Sequence, residues 1–363
     1  MKIMHLLFSF TIGGTERLVS DICNEMVAKE HDVHLYIVND LLSKELLATL
    51  NEKVHVCLQK RQPGGEKLSV LWKIAQYVKK EQIEVIHCHS FDSPELLLLS
   101  KIMNPKVRIV QTIHGMGQYG ELNKIKLIVR NCLCDAFIGI SECVKQDIVL
   151  AGAPACKTHM IYNGIKSEKY SKAIYKIFDK EHVKVGCVAR IMPSVKGQDI
   201  LIKAVPIIVK KYSEIKVEFA GGIAKEEAAE YEKLQSYTAE NGIQKNVDFL
   251  GSVSDVPSFL NTIDILVVPS RTEGFGLALV EAMAMGVPCI ASDIEGPAEI
   301  VNNEKIGILF KSEDEKSLSE YIIKMIENYE LYKKAAWNKR KYVLNKYGIE
   351  TMCEKLTLLY AEL

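Results

Sequence analysis

The chain has 363 residues, enough for two domains of ordinary size, and 48% of them are hydrophobic, as expected of a globular protein with a substantial core. Its 46 basic and 46 acidic residues balance, so no global positive charge is present to neutralise nucleic-acid phosphates. No apolar run approaches the roughly 18 residues that cross a bilayer. We therefore expect a cytoplasmic protein without a nucleic-acid partner.

The ten cysteines do not follow a disulfide or zinc pattern. No C-x-x-C occurs, and Cys132 and Cys134 form only a C-x-C that lacks further ligands at zinc spacing. Unpaired thiols in a reducing compartment are the expected state.

Short β-rich runs alternate with helical patterns along the first half of the chain. Helices are predicted, for example, at Thr15–Lys29 and Leu68–Lys80. Continuous apolar strands that alternate with helices are typical of a parallel sheet covered on both faces. The predicted strands are Ile3–Phe8, Val33–Val38, Val54–Leu58, Glu84–His87, Arg108–Thr112, Ala136–Ile140 and His159–Tyr162.

The alternation pauses at residues 166–182, a polar and charged segment that we interpret as a linker. A second set of strands follows, and a long helical region begins at about Glu313. The second set is Val185–Ala189, Lys216–Ala220, Val247–Leu250, Ile265–Val268, Cys289–Ala291 and Ile306–Phe310.

The pattern predicts an α/β fold with two Rossmann-like, doubly wound domains that face each other across a cleft. We assign residues 1–165 to the first domain and 183–340 to the second. Residues 341–363 are expected to form a helix that packs back on the first domain. Ligands of such sheets bind beyond the carboxyl ends of the strands.

A glycine pair, Gly13-Gly14, follows the first predicted strand and opens a helix. Two glycines allow backbone N–H groups to approach an anion at a helix N-terminus. The spacing is not G-x-G-x-x-G, so the dinucleotide fingerprint is missing. An ordinary strand-to-helix turn explains the pair equally well.

Two cations, Arg190 and Lys196, lie between a predicted strand end and a helix start in "GCVARIMPSVKGQDILIKA". A planar guanidinium fork and a point charge together suit a diphosphate. The order Lys196-Gly197 differs from a P-loop. Solvated surface cations are the alternative.

The stretch "PSRTEGFGLALVEAMAMGVPCIASD" places two carboxylates, Glu273 and Glu281, eight positions apart around a glycine-rich turn. A helix is predicted from Leu277 to Met285, so backbone N–H groups of residues 275–278 would form an anion site. Glu281 lies one turn into that helix, where it would either cap local structure or bind hydroxyl groups.

Other candidate residues carry weaker signals. His114 follows the strand Arg108–Thr112, again at a carboxyl end. His87 and His89 share one strand face but lack a third ligand at an evident spacing, so no metal site is predicted. No Asp-x-Asp occurs, which weighs against a metal-chelated diphosphate, and no G-x-S-x-G elbow is present.

The segment "NKIKLIVRNCLC" places Lys124, Lys126 and Arg130 beside apolar residues. Such a basic amphipathic pattern suits contact with anionic lipid at a membrane surface. A half-buried helix with a solvated basic edge fits the same pattern.

Together these motifs resemble the retaining glycosyltransferases of family 4, the glycosyl transferases group 1, which have the two-domain GT-B fold. The resemblance covers nearly the whole chain and is strongest over residues 247–310. It includes the Glu-x7-Glu element, the Arg190/Lys196 pair, the Gly13-Gly14 loop, "IYNGI" at 161–165 and the histidine of "TIH". One departure is Glu295-Gly296, where many relatives have Gly-Gly.

The resemblance implies a role for each matching residue. Arg190 and Lys196 would hold the donor diphosphate, Glu281 the ribose and Glu273 the sugar hydroxyls, while His114 would contact the transferred sugar. Glu273, His114, Arg190 and Lys196 would thus form the catalytic set. The remaining donor-binding positions would be Gly13, Gly14, Gly251, Val253, Gly274, Phe275, Gly276 and Leu277.

We therefore expect transfer of a sugar from a nucleotide sugar, as a UDP-sugar, to a saccharide or lipid-linked acceptor in bacterial surface polysaccharide synthesis. No cofactor and no metal are expected, because Arg190, Lys196 and helix N-termini would stabilise the leaving diphosphate. In the family the departing phosphate is thought to accept the acceptor's proton. A nucleotide-sugar epimerase of the same fold and a non-catalytic partner subunit are the alternatives.

Overall fold

A computed structural model describes residues 1–62, 68–223, 225–304 and 306–363. The chain divides into two compact units. Unit 1 comprises Met1–Gly164 together with Ile349–Leu363, and unit 2 comprises Ile165–Gly348. No helix among the described residues combines the length and the apolar character needed to cross a bilayer.

Unit 1 is built on a parallel sheet whose strand order is β3-β2-β1-β4-β5-β6-β7. Strands β4 and β6 are buried along their whole length, as continuous apolar runs in a sheet covered on both faces should be. The strands are β1 Lys2–Leu7, β2 Asp32–Asn39, β3 His55–Arg61, β4 Val85–Cys88, β5 Arg108–Ile113, β6 Ala136–Gly139 and β7 Thr158–Met160.

Helices connect these strands and pack on the sheet. Side-chain caps fix some of their starts: Asn123 accepts the backbone N–H of Lys126, and Ser141 accepts that of Val144. The helices of unit 1 are α1 Gly14–Ala28, α2 Lys44–Leu47, α3 Leu68–Glu81, α4 Leu98–Met103, α5 Lys124–Leu133, α6 Glu142–Leu150 and, after unit 2, α16 Ile349–Glu362.

Unit 2 has a second parallel sheet with strand order β10-β9-β8-β11-β12-β13. Strands β11 and β12 are fully buried. Its strands are β8 Lys184–Val188, β9 Lys216–Ala220, β10 Val247–Gly251, β11 Ile265–Val268, β12 Cys289–Ser292 and β13 Gly307–Phe310. Each strand predicted from sequence overlaps one of these or one in unit 1, so the α/β prediction is confirmed.

The helices of unit 2 cover both faces of its sheet, and Asp255 and Asp314 cap two of them. They are α7 Ser167–Tyr170, α8 Pro193–Lys196, α9 Gln198–Ile208, α10 Ala228–Glu240, α11 Val256–Thr262, α12 Leu277–Ala284, α13 Glu295–Glu304, α14 Glu315–Glu327 and α15 Tyr329–Lys346. Short 3-10 turns occupy Pro94–Leu97, Gln118–Glu121, Ala155–Lys157, Lys225–Glu227 and Gln244–Asn246.

The segment 166–182 is part of unit 2 rather than a separate linker. After α7 it runs without regular structure, and its side chains dock on the unit. Lys176 Nζ lies 2.8 Å from a carboxylate oxygen of Asp264, and the Phe178 ring stacks on Tyr329 with centroids 3.8 Å apart. The absence of a strand in this segment was predicted from the sequence, but these contacts with the rest of unit 2 were not.

The helix predicted at 341–363 needs correction. Residue 341 lies inside α15, which ends at Lys346, and α16 begins only at Ile349. Val343 is buried in unit 2, whereas Met352, Cys353 and Leu356 belong to the core of unit 1 with α1 and the sheet. The helix therefore breaks where its buried face changes from one core to the other.

Candidate functional site

The centre of the unit 2 sheet contains a topological switch point. Strand β8 pairs with β9 on one side and with β11 on the other, and the chain continues outward from each in opposite directions. The chain therefore leads away from β8 and β11 in opposite directions along the sheet, and the carboxyl edge at such a point is the usual ligand site of open α/β sheets. Arg190 and Lys196 follow β8, and Glu273 follows β11.

A close backbone contact docks the β8 loop on the β11 loop. Gly197, directly after α8, has φ +64°, and a Cβ there would lie 1.9 Å from the carbonyl oxygen of Pro269. The carbonyl of Val195 accepts the N–H groups of Arg271 (2.8 Å) and Thr272 (3.3 Å). Only glycine fits this approach, and the contact brings the two loops together.

Lys196 and Glu273 meet as a result of this docking. Lys196 Nζ lies 2.6 Å from Glu273 Oε2, and about a quarter of each side chain is exposed, 26% and 21% respectively. The ammonium group is thus held at this carboxyl edge with its charge balanced by a carboxylate. An entering anion would share or replace that carboxylate.

Arg190 is positioned through its backbone and not through its head group. Its carbonyl accepts a 2.8 Å hydrogen bond from Gln198 Nε2, and the N–H of Ile191 donates to Gly222. The Arg190 side chain is exposed and has no ion pair within the described ranges. A fixed backbone with an unpaired guanidinium at a strand end is well suited to bind an anion.

The turn Glu273–Gly276 precedes α12 and is tightly packed. Gly276 has φ +106°, which favours glycine, and Phe275 is buried against Tyr347 with ring centroids 5.8 Å apart. Gly296 packs on the turn so closely that a Cβ would lie 2.5 Å from the carbonyl oxygen of Glu273. The first turn of α12, starting at Leu277, directs its N–H groups and its positive dipole end toward this turn.

The other acidic member of the motif, Glu281, lies on α12 and is half-buried. Tyr170, at the end of α7, donates its hydroxyl to Glu281 Oε1 at 2.5 Å. Sequence reasoning missed Tyr170, because the two residues are 111 positions apart.

The Gly251–Val253 segment borders the same edge of the sheet. Gly251 has φ +69°, and its carbonyl accepts the N–H of Gly221. A Cβ on Gly222 would lie 2.5 Å from Ser252 Oγ. The loops after β8, β9 and β10 thus lie side by side.

Arg271 is a second residue that sequence reasoning missed. Its guanidinium contacts both carboxylate oxygens of Asp199, at 2.6 and 3.0 Å, and also binds Glu313. Burial alone would raise the pKa of Asp199, but hydrogen bonds from Arg271 and Lys203 outweigh it and hold that pKa below its usual value. An arginine next to the glycine-rich turn, in "PSRTEG", was the only hint in the sequence that this position has a structural role. Arg271 joins the turn after β11 to α9.

In unit 1, Gly13 is the N-cap of α1 and Gly14 its first residue, on the loop after β1. Strands β1 and β4 form the switch point of this sheet. Gly14 is exposed, its φ is not positive, and a Cβ there would meet nothing within 4 Å. The fold of unit 1 therefore does not require glycine at position 14.

His114 follows β5 at the same edge of unit 1. Its Nε2 atom is buried and has no partner within the described ranges. Burial lowers the pKa of His114 to about 4, so the imidazole is neutral at physiological pH. A neutral ring of this kind can exchange hydrogen bonds with a hydroxyl group, but it does not supply a positive charge.

Three further histidines lie beside His114. His5 and His87 are opposite each other on β1 and β4, and the three ring-nitrogen ligand positions of His5, His87 and His89 lie within 4.8 Å of one another. Both nitrogens of His87 are already engaged, with Tyr360 (2.6 Å) and Thr112 (2.7 Å). The geometry is that of a buried hydrogen-bond network. The sequence would have indicated it only if β1 and β4 had been aligned so that His5 lies opposite His87.

The basic segment on α5 needs a correction. Arg130 is fully buried, its Nε lies 3.0 Å from Glu95 Oε1, and its guanidinium lies over the Phe91 ring. It belongs to the interior of unit 1 and not to a lipid-facing surface. Ile125 and Ile128 are the exposed apolar residues of α5.

All ten cysteines lie in the described part of the chain and all are unpaired, as predicted. Cys132 and Cys156 are exposed, and the others are buried or partly buried.

Two family models match consecutive parts of the chain. Glycosyltransferase Family 4 matches residues 12–169, and Glycosyl transferases group 1 matches residues 171–342. The chain belongs to the family 4 glycosyltransferases. It is therefore a glycosyltransferase enzyme, as the motifs predicted.

Curated relatives of this glycosyltransferase extend over most of its length. The capsular polysaccharide biosynthesis glycosyltransferase CapM of Staphylococcus aureus is 28% identical over 99% of this chain and 96% of its own. The UDP-Gal:alpha-D-GlcNAc-diphosphoundecaprenol alpha-1,3-galactosyltransferase of Escherichia coli is 24% identical over 81% of this chain and 79% of its own.

Solved structures share the fold. Anabaena Alr3699/HepE, solved in complex with UDP and glucose, superposes with a TM-score of 0.84 at 22% identity, over the whole of both chains. The glycosyltransferase has the GT-B fold, as predicted.

Proposed function

We propose that this glycosyltransferase transfers a hexosyl group, with retention of anomeric configuration and without a metal, from a UDP-sugar to a saccharide or lipid-linked acceptor. The proposed pathway is bacterial surface polysaccharide synthesis. The observation that carries the proposal is the junction at the β8–β11 switch point of unit 2. The loop after β8 carries Arg190 and Lys196, and the loop after β11 leads to the first turn of α12; these groups are proposed to supply the positive charge that binds the donor diphosphate.

The leaving nucleoside diphosphate develops negative charge as the bond to the sugar breaks. Pre-positioned cations and helix N-termini stabilise such charge without reorganisation. Arg190 offers a guanidinium that has no ion pair among the described residues, and Lys196 offers an ammonium group on a docked loop. These groups supply the charge that a metal ion would otherwise provide.

Glu273 and Glu281 have different proposed roles. Glu273 is paired with Lys196 at 2.6 Å, which lowers its nucleophilicity and favours a role in binding the sugar hydroxyls over covalent attack. Glu281, one turn along α12, is proposed to bind the ribose hydroxyls. The Gly251–Val253 segment is proposed to border the base.

The names and bound ligands of the relatives support the finer parts of the proposal. HepE was solved with UDP and glucose, and the Escherichia coli enzyme is named for UDP-Gal and a diphosphoundecaprenol acceptor. CapM is named for capsular polysaccharide biosynthesis. A uridine nucleotide and a glycan or glycolipid acceptor are therefore the first candidates to test.

Gly14 and His114 are proposed as substrate-binding residues of unit 1. A glycine that the fold does not need leaves room for a ligand, and a neutral imidazole suits a sugar hydroxyl. Contact of α5 with anionic lipid is also proposed, through Ile125, Ile128 and the neighbouring lysines.

The experiment combines a nucleotide-sugar panel with an Arg190→Ala variant. UDP release should require both donor and acceptor, should persist with EDTA, and should give a product with the donor's anomeric configuration by NMR. Arg190→Ala should lower kcat/KM by about 100-fold, the usual effect of removing one transition-state donor. Lys210→Ala, which removes an exposed cation on the same unit, serves as the control.

Full activity of Arg190→Ala would overturn the diphosphate assignment. Donor turnover without any acceptor, giving an epimerised nucleotide sugar, would instead favour an epimerase. Absence of donor binding across the panel would favour a non-catalytic partner subunit.

A further inference from the structure

Tyr170 lies close to Glu281 but outside the sequence motif that contains it. Only 5% of its surface is exposed, and its hydroxyl donates to Glu281 Oε1 at 2.5 Å. A phenol that donates to a carboxylate forms a charge-assisted hydrogen bond, which is shorter and stronger than a neutral one. The orientation of the Glu281 carboxylate is therefore coupled to the position of Tyr170.

Arg340, on α15, fixes the segment that carries Tyr170. Its NH2 group contacts the carbonyl oxygens of Tyr170 (3.4 Å) and Ser171 (3.2 Å). Its Nε donates to the carbonyl of Ala284 at 2.8 Å, at the end of α12. The guanidinium also packs over the Trp337 ring, 4.4 Å from its centroid. One side chain thus joins the end of α7 to the end of α12.

A second cation holds the same end of α12. Lys333 is buried and its Nζ donates to the carbonyl of Gly286 at 2.9 Å, just after the helix. With Arg340 on the last carbonyl of the helix and Lys333 on the carbonyl of Gly286 just beyond it, the end of α12 is anchored on α15. The helix, Tyr170 and Glu281 then have a fixed geometry before any ligand enters.

We propose that Tyr170 is a positioning residue that orients Glu281 toward the ribose hydroxyls of the donor nucleotide. This inference rests on the proposed function, because it assumes that Glu281 binds ribose. A glutamate side chain loses considerable rotamer freedom when it is ordered, and Tyr170 removes much of that freedom in advance. A carboxylate has about four acceptor positions, so it can accept the bond from Tyr170 together with bonds from other donors.

The test compares UDP with 2′,3′-dideoxy-UDP by isothermal titration calorimetry. Tyr170→Phe should weaken UDP binding about tenfold, the loss expected when one ligand contact is no longer pre-organised. It should leave the binding of dideoxy-UDP unchanged, because that analogue lacks the hydroxyls. In a Glu281→Ala background, Tyr170→Phe should have no further effect on UDP.

Tyr175→Phe is the matched control. Tyr175 lies in the same segment and its hydroxyl donates to another glutamate, Glu330, at 3.3 Å. Its removal should not change the affinity for either nucleotide. In steady-state assays Tyr170→Phe should raise the donor KM and leave kcat nearly unchanged, because the ribose contact is the same in ground and transition states.

The outcomes separate the inference from the proposed function. Wild-type protein that does not bind UDP would overturn the proposed uridine donor. Wild-type protein that binds UDP and dideoxy-UDP equally would overturn the ribose role of Glu281 and the positioning role with it. Equal UDP affinity of wild type and Tyr170→Phe, or equal weakening of both nucleotides by Tyr170→Phe, would overturn the positioning role alone.

Discussion

The close contact between Gly197 and Pro269 leads to a sharp prediction about the stability of unit 2. Gly197→Ala introduces a Cβ 1.9 Å from the Pro269 carbonyl oxygen, at a residue with φ +64°. Gly242→Ala is a matched control, because Gly242 has φ +65° and a Cβ there would meet nothing within 4 Å. Both variants impose the same backbone strain, and only Gly197→Ala adds a clash between backbones.

The magnitude follows from the two contributions. Alanine in the left-handed region costs about 1–2 kcal/mol, which is the whole loss expected for Gly242→Ala. Real Cβ atoms essentially never lie within 3.0 Å of a non-bonded heavy atom. Gly197→Ala must therefore displace one of the two backbones by at least 1.1 Å (3.0 minus 1.9). Overpacking of this kind adds about 1–3 kcal/mol, which gives a total of about 2–5 kcal/mol for Gly197→Ala.

The assay is urea unfolding followed by tryptophan fluorescence. The chain has two tryptophans, and replacing the half-exposed Trp72 by Phe leaves Trp337 as a reporter of unit 2. Gly197→Ala should also weaken UDP binding, because its shift moves the loop that carries Lys196, and Gly242→Ala should not. An equal loss of stability in the two variants would refute the clash and the docking argument built on it.

Three further predictions concern the candidate residues. Gly14→Ala should leave the melting temperature unchanged, because the added Cβ meets no described atom within 4 Å. It should lower kcat/KM for the donor by at least about tenfold. Unchanged kinetics would contradict a ligand role for Gly14. Burial lowers the pKa of His5 to about 3 and that of His114 to about 4, so the unfolded chain binds more protons as the pH falls below 6.5. The free energy of unfolding should therefore be constant above pH 6.5 and should fall below it by about 1.4 kcal/mol per pH unit for each histidine. In His5→Asn this pH dependence should be shallower. Glu273→Gln should abolish most of the transfer activity. It should bind UDP at least as tightly as wild type, because Lys196 is no longer neutralised by a carboxylate. Weaker UDP binding would argue against contact of the Lys196–Glu273 pair with the phosphates.

The strands were predictable because each signal is local. Runs such as Ile265–Val268 are buried on both faces of a parallel sheet, so they are continuously apolar and are readable without knowledge of their partners. The Glu273–Gly276 turn was readable for a similar reason. Gly276 adopts φ +106°, a conformation that favours glycine, and the residues that start the following helix are adjacent in the sequence.

Helix boundaries and buried charges were less predictable. The boundary predicted at residue 341 falls inside α15, although Gly348, between the two helices, was a local signal for the break. Which core the second helix joins is decided only by tertiary contacts. Arg130 has the pattern of a surface cation, and only the fold places Glu95 and Phe91 beside it in the interior. In both cases the deciding contact comes from a distant part of the chain.

Local sequence patterns were enough to predict the fold class, the two sets of strands and the residue types at the strand ends, because hydrophobic periodicity and turn chemistry act over a few residues. Tertiary structure decided which of those residues meet. The pairing of Lys196 with Glu273 depends on the absence of a Cβ at Gly197, where it would lie 1.9 Å from the Pro269 carbonyl oxygen. The proposed orientation of Glu281 depends on Tyr170, 111 residues away. Such contacts arise from the way strands and loops stack across a sheet, a relation that separation along the chain does not encode.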